Sequence, residues 1–393
     1  MTAGPTRSRS VASGLLATLV ALGAVVGLEG ALRLVPVTAS PFSPATVLER
    51  QGGLEEVERE VLAELGADAP SVLRANQIYK DDDRTFWRLR AGVSITGKNY
   101  LLPRAVRERY PFAMTTNASG FRGPMPARAK PAGALRVIAI GNSSTFGWGV
   151  NDDETYPAQL ERALRAIMPG RPIEVMNAGI PGFTSYQGRR LLADEVLPLA
   201  PDFVVLAFGF NDSRRAASTD SAFAAASARP LARAAHALGR LEVYRRLERV
   251  IRGGRVADRL SPRGEERTVE RVPAAQFEPN IQEMVRACLG ARARPILLSM
   301  VIPPEYRDAL VRVARANGVP FLETRPYLLV RAQEPEARAT YADAIARHEE
   351  AWRGDTSGVW HDPAYVDTIH PSRLGHALLA DWIARVIADA GGG

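Results

Sequence analysis

The sequence predicts an α/β protein with a mostly parallel sheet and helices on both of its faces. Two observations predict it. First, short apolar runs such as Leu135–Ile140, Phe203–Phe208 and Pro295–Met300 lack the in–out alternation of a half-exposed strand. Runs of that kind fit strands buried on both faces, as parallel strands are. Second, each run is followed by a segment with helical spacing, which is the βαβ pattern.

Taken in order, the first buried strand is Leu135–Ile140, followed by a helix over Tyr156–Met168 that Pro169-Gly170 ends. Ile173–Met176 is a short strand, Ser185–Leu197 a helix and Phe203–Phe208 a third strand. Residues 213–272 break the rhythm with many Arg and Ala and read as an inserted, partly helical cap or loop. A helix over Gln276–Leu289, a strand over Pro295–Met300, a helix over Glu305–Ala316 and a strand over Val319–Leu322 follow. A charge-rich stretch, Arg331 to Arg353, leads to a closing helix over Ser372–Ala388. The sheet therefore has about five strands.

Three segments precede this core. Residues 1–39 hold Arg7 and Arg9 and then Val11–Leu28, eighteen residues without a charge. Such a run is just long enough to cross a bilayer, and the flanking arginines would leave the N-terminus in the cytoplasm and the rest outside. A cleavable signal peptide ending near Val37-Thr38-Ala39 is the rival, but the apolar run is long for one, which favours an uncleaved anchor. Residues 40–131 form an extension and linker. It contains an acidic helix-compatible segment at Val47–Leu65, the run Phe86-Trp87-Arg88-Leu89-Arg90 and a turn at Asn117–Gly123, and it ends in a proline- and alanine-rich stretch. Residues 132–393 form the main domain.

Composition excludes several classes. Net charge is +7, from 50 basic and 43 acidic residues, yet only Lys80, Lys98 and Lys130 are lysines, and no basic run is interleaved with aromatics as in single-strand nucleic-acid binders. Nucleic acid is not expected as a partner. A single cysteine, Cys288, rules out a disulfide within one chain and reads as a core residue. No His-Glu-x-x-His, phosphate loop or dinucleotide fingerprint occurs.

Four motifs fall at strand ends or helix starts. Gly141-Asn142-Ser143 follows the first strand, where open parallel sheets place their chemistry, and a serine there becomes a nucleophile once a base takes its proton. Asn177-Ala-Gly-Ile-Pro-Gly182 follows the second strand, and its glycines allow a backbone N–H to approach a ligand. Gly209-Phe-Asn211-Asp212 follows the third, where the Asn211 amide could donate to a developing oxyanion. Asp367-Thr-Ile-His370 precedes the last helix, and its offset lets one turn bring a carboxylate to an imidazole, fixing the tautomer. Each motif alone is as ordinary as a turn or a helix cap. The α/β-hydrolase elbow Gly-x-Ser-x-Gly is absent around Ser143.

Together, in this order, the four motifs resemble the SGNH (GDSL-type) hydrolase family over about Leu135 to Ala388. The segments Trp87–Arg90 and Asn117–Arg122 resemble those that precede this core in membrane-anchored bacterial relatives. The resemblance implies a three-layer α/β/α, flavodoxin-like fold. It implies Ser143, Asp367 and His370 as a catalytic triad, with the N–H groups of Ser143 and Gly182 and the amide of Asn211 as oxyanion donors. No metal or organic cofactor is implied. The expected function is a serine esterase acting on acyl, foremost acetyl, esters of a carbohydrate or small substrate outside the cytoplasm, with the membrane contacted through the N-terminal helix. An O-acyltransferase acting on an envelope or secreted polysaccharide is the alternative within the same site. A non-catalytic, membrane-tethered glycan-binding protein is the third reading, suggested only by Asn142, which stands where the family usually has aspartate.

Overall fold

Two small hairpins lie ahead of the main sheet. β1 (Tyr79–Asp82) pairs antiparallel with β2 (Phe86–Leu89), and β3 (Ser94–Gly97) with β4 (Phe112–Thr115). The first is closed by Asp82, whose Oδ1 accepts from the N–H groups of Arg84 and Thr85 and from the Thr85 hydroxyl, the short-range bonding that makes aspartate a turn former. Asn117 closes the next turn the same way, accepting from Ser119 N and Phe121 N. Tyr79, Phe86, Trp87, Leu89, Met114 and Phe121 are buried together with side chains of the main sheet, so this extension shares that sheet's core.

The computed structural model describes residues 23, 24, 26–28, 78–97, 99, 101–103, 106, 109–228, 230, 269–353 and 362–391. The charge-free run Val11–Leu28 lies mostly outside them, and Val37–Ala39, Val47–Leu65 and most of the insertion, including Arg245, Arg246, Arg249 and Arg252, lie wholly outside. Among the described residues, no helix is long and apolar enough to cross a membrane.

The main sheet has five strands, all parallel: β5 (Leu135–Gly141), β6 (Ile173–Gly179), β7 (Phe203–Ala207), β10 (Arg294–Ser299) and β11 (Phe321–Glu323). β8 (Arg215–Ala216) and β9 (Val269–Glu270) are short and lie outside it. Between the strands run α1 (Ser143–Phe146), α2 (Tyr156–Ile167), α3 (Ser185–Leu191), α4 (Asp220–Ser227), α5 (Ala274–Gly290) and α6 (Pro304–Asn317). α7 (Thr324–Arg331), α8 (Pro335–Thr340), α9 (Ala342–Ala351) and α10 (Arg373–Gly391) complete the chain.

The strands lack a regular polar alternation because both faces of the sheet are covered. Ile138 and Ile140 of β5 face a core shared with α3, α5 and α6. Leu135, Val137 and Ala139 face a second core shared with α2 and α10. That is the period-2 alternation of a strand, with helices on each side. The fold is the expected three-layer α/β/α arrangement with a five-stranded parallel sheet. Buried Cys288 sits in the first core.

Several boundaries differ from expectation. The second helix stops being α-helical at Leu191 and continues as a π turn (Leu192–Val196) and a 3-10 turn (Leu197–Leu199), where Pro198 supplies no N–H. The last strand begins at Phe321 rather than Val319, after Pro320, and the charge-rich stretch folds into α8 and α9. The ends of the insertion pair with each other: β8 and β9 form an antiparallel neck through which the chain leaves and returns.

Strand order β11-β10-β7-β5-β6 puts β5 in contact with both β6 and β7. The chain moves outward one way from β5 to β6 and then back across to β7. In open α/β sheets, ligands bind beyond the carboxyl ends of the strands at such a reversal. Ser143 follows β5 and Asn211 follows β7.

Candidate active site

At the carboxyl end of β5 the chain turns at once into α1. Asn142 caps that turn, its Oδ1 accepting from Ser144 N at 3.0 Å, which leaves Ser143 as the first helical residue. The turn can sit low against the sheet because β6 ends in Gly179: a Cβ there would lie 2.3 Å from Phe146 N. Buried Arg122 holds the far end of the turn. It donates to the carbonyls of Phe146 (3.0 Å), Gly147 (2.6 Å) and Val150 (2.6 Å), pairs with Asp152 at 2.6 Å and lies over the Phe146 ring. Carbonyls left open at a helix end need such donors.

The loop before α10 brings an imidazole to Ser143. His370 Nε2 lies 2.9 Å from Ser143 Oγ, and His370 Nδ1 lies 2.8 Å from Asp367 Oδ2. Asp367 Oδ1 accepts from the N–H groups of Ile369 (2.8 Å) and His370 (2.6 Å). Burial pushes the Asp367 carboxyl up, but charge and hydrogen bonding from His370 and the two backbone N–H bonds outweigh it, and its pKa lies below the usual carboxylate value. An ionised carboxylate can only accept, so Nδ1 carries the hydrogen and Nε2 is the acceptor facing the serine hydroxyl. His370 is fully buried and Ser143 is 5% exposed.

The loops after β6 and β7 complete the site. Ile180 N donates to Gly141 O at 3.0 Å, joining the β6 loop to the end of β5. Gly182 has φ +78°, a conformation side-chain-bearing residues rarely adopt, and its N–H donates to no group among the described residues. One N–H of the Asn211 amide donates to Phe183 O at 3.1 Å, which ties the two loops together and leaves the second N–H of that amide for a ligand. All five residues expected at the site thus lie on four loops at one end of the sheet.

The sequence profile of the GDSL-like Lipase/Acylhydrolase family matches residues 139–378, more than half of the chain. The chain belongs to that family. It is an ester-hydrolysing enzyme. No curated protein matches it. Similar solved structures include a lipase/acylhydrolase from Enterococcus faecalis (18% identity, 65% of this chain and 96% of that one, TM-score 0.38). The acetylxylan esterase Axe2 from Geobacillus stearothermophilus (18%, 64% and 94%, TM-score 0.36) and TesA (16%, 64% and 97%, TM-score 0.35) are others.

Within this GDSL-type site, Asn142 supplies the same acceptor to Ser144 N that an aspartate would, so the cap on the serine turn is kept. His370 faces Ser143, whereas His376, six residues further on in α10, does not. His376 is fully buried; its Nδ1 accepts from Tyr156 N at 3.0 Å, and burial, together with the charges of Arg122 and His370, pushes it down to about 3. It is a neutral strut between α10 and α2.

Sequence reasoning gave no role to four buried groups. Trp87 Nε1 donates to Pro181 O at 3.1 Å. Arg271, just past the neck, donates to Gly182 O at 2.7 Å and makes two bonds to Asp220, at 3.1 and 3.0 Å. Asp212 accepts from Ser185 N (2.8 Å) and Gly209 N (3.0 Å), and burial pushes its carboxyl up to about 6 against those bonds. Only the Asp of Gly209-Phe-Asn211-Asp212 lay in a motif already singled out for chemistry. Nothing local marks Arg271 or Asp220.

Proposed function

We propose that the protein is a serine esterase in which His370, oriented by Asp367, takes the proton of Ser143 as the serine attacks an ester carbonyl. The observation that carries this reading is the continuous line from Asp367 Oδ2 through His370 to Ser143 Oγ, with both steps under 3 Å. The imidazolium that forms is stabilised by Asp367. The N–H groups of Ser143 and Gly182 and the free N–H of Asn211 stabilise the tetrahedral oxyanion. His370 then returns its proton to the leaving alcohol, and water, deprotonated by the same histidine, releases the acid from the acyl-serine.

The low exposure of Ser143 supports a compact acyl group such as acetyl, esterified to a carbohydrate or small alcohol. Transfer of the acyl group to a sugar hydroxyl in place of water uses the same groups and differs only in what occupies the acceptor position. The uncharged run Val11–Leu28 behind Arg7 and Arg9 supports an anchored, extracytoplasmic domain. With an activated acetyl ester, the wild type turns over and Ser143→Ala falls by about 10⁴-fold or more while remaining folded. Retained turnover in that variant overturns the reading. Free acetate in the presence of acceptor sugars supports hydrolysis, and acetylated sugar supports transfer.

A further inference from the structure

Three consecutive carbonyls in the β6 loop are each held by a buried side-chain donor. Pro181 O accepts from Trp87 Nε1, Gly182 O from Arg271 Nη1, and Phe183 O from Asn211 Nδ2. The donors come from three distant segments: the first hairpin, the neck of the insertion and the loop after β7. In a planar trans peptide the carbonyl of one residue and the N–H of the next point in opposite directions. The carbonyl of Pro181 and the N–H of Gly182 belong to one such unit. The indole bond therefore decides which way the Gly182 N–H faces.

We propose that Trp87 is a positioning residue: by holding the Pro181 carbonyl inward, it stops the Pro181–Gly182 peptide from flipping and keeps the Gly182 N–H turned toward Ser143 as an oxyanion donor. This rests on the assignment of Gly182 and Ser143 given under Proposed function. Glycine is the residue at which a peptide flip is sterically easiest. A flip there would replace a donor by a carbonyl oxygen facing the developing negative charge, and it would leave the Trp87 N–H buried without a partner.

The surroundings of Trp87 are those of a fixed latch. Its side chain is fully buried and meets the Phe183 ring edge-on at 5.9 Å, and the Arg271 guanidinium lies 5.5 Å from its ring centre. The residue before it, Phe86, has φ +70°, a costly conformation for an aromatic residue. That strained residue is itself wedged between the Tyr186 ring at 5.8 Å and the Phe223 ring at 5.0 Å. Gln187 adds a second tie to the hairpin, donating to Thr85 O at 2.7 Å. Arg271 then fixes the next peptide unit through Gly182 O, and its two bonds to Asp220 hold the guanidinium.

The test removes one hydrogen-bond donor. The full chain is made with 3-benzothienylalanine at position 87, which keeps the shape of the indole and puts sulfur in place of N–H, and as Trp87→Phe and Ser143→Ala. Turnover of p-nitrophenyl acetate is measured per active site titrated with a fluorophosphonate, or per mole of folded protein for Ser143→Ala, together with the inhibition constant of an arylboronic acid, whose serine adduct is tetrahedral and anionic. The expected result for the sulfur isostere is a fall in kcat of about tenfold or more, with KM within about twofold and boronate binding weakened in parallel with kcat. Trp87→Phe shows the same split with an added loss of thermal stability. Wild-type kcat and boronate binding in the isostere overturn the inference, whatever its melting temperature. An inactive Ser143→Ala alongside a wild-type-like isostere overturns the latch alone, whereas an active Ser143→Ala overturns the catalytic reading beneath it.

Discussion

The two halves of the candidate site are built in different ways. The proposed acid–base half is local: Asp367 and His370 share one short turn, and the same carboxylate accepts from the imidazole and from two backbone N–H groups of that turn. The proposed oxyanion half is assembled from afar. The Pro181–Phe183 carbonyls are held by Trp87, Arg271 and Asn211, with Trp87 lying 94 residues from Pro181 in the chain and Arg271 lying 89 from Gly182. A proton relay needs two side chains at fixed spacing, which one turn can supply. A fan of converging backbone donors needs peptide planes held from outside, and only long-range contacts supply that.

The largest effect is expected from the local half. Asp367→Asn leaves a neutral amide beside His370 and favours the wrong tautomer; kcat on an activated acetyl ester should fall by about 10⁴-fold, with the far-ultraviolet spectrum unchanged. A fall below tenfold would show that Asp367 does not orient the imidazole. At the distant end, Asn211→Ala removes the proposed oxyanion donor together with the bond to Phe183 O. It should lower kcat by about 10²–10³-fold and alter KM little, as judged from steady-state kinetics.

A smaller effect separates the support of the oxyanion half from that of the triad by pH. The Asp212 carboxyl is raised in the folded state to about 6, so the folded protein binds that proton more tightly than the unfolded chain does. The stabilising contribution is complete below the unfolded value near 3.8 and is lost as pH rises through about 6, an amount on the order of 3 kcal/mol. Asp212→Asn should remove that component of the pH dependence, seen as a smaller difference in chemical-denaturation stability between pH 4 and pH 7 than in the wild type. An unchanged difference would show that Asp212 titrates normally. The smallest effect is expected at Asn142→Asp. Either side chain presents an oxygen to Ser144 N, so kcat should stay within about threefold of wild type; a large gain would show that the missing charge limits the enzyme.

The same contrast explains what the sequence disclosed. The five parallel strands were legible because most of their residues are apolar without a regular polar alternation, as in a strand covered on both faces, although Arg136 and Glu174 interrupt β5 and β6. Ser143, Gly182, Asn211, Asp367 and His370 were legible because each sits in a short motif at the end of a strand or the start of a helix. Arg271 and Asp220 were not: each is a single charged residue in an Arg- and Ala-rich stretch, and only folding brings the two together, fully buried, behind the β6 loop. Trp87 and Arg122 stood in motifs that resembled relatives, but the sequence had no means of saying that one would meet Pro181 and the other the end of the serine turn. The break in the second helix after Leu191 was also hidden, since apolar spacing runs through it and a π turn preserves the buried face.

The most direct measurement of the central claim, that His370 and Asp367 activate Ser143, is the intact mass of the full chain after reaction with a fluorophosphonate. One adduct per wild-type molecule and none on Ser143→Ala are expected. A folded wild type that gains no adduct, or a Ser143→Ala variant that gains one, would contradict it.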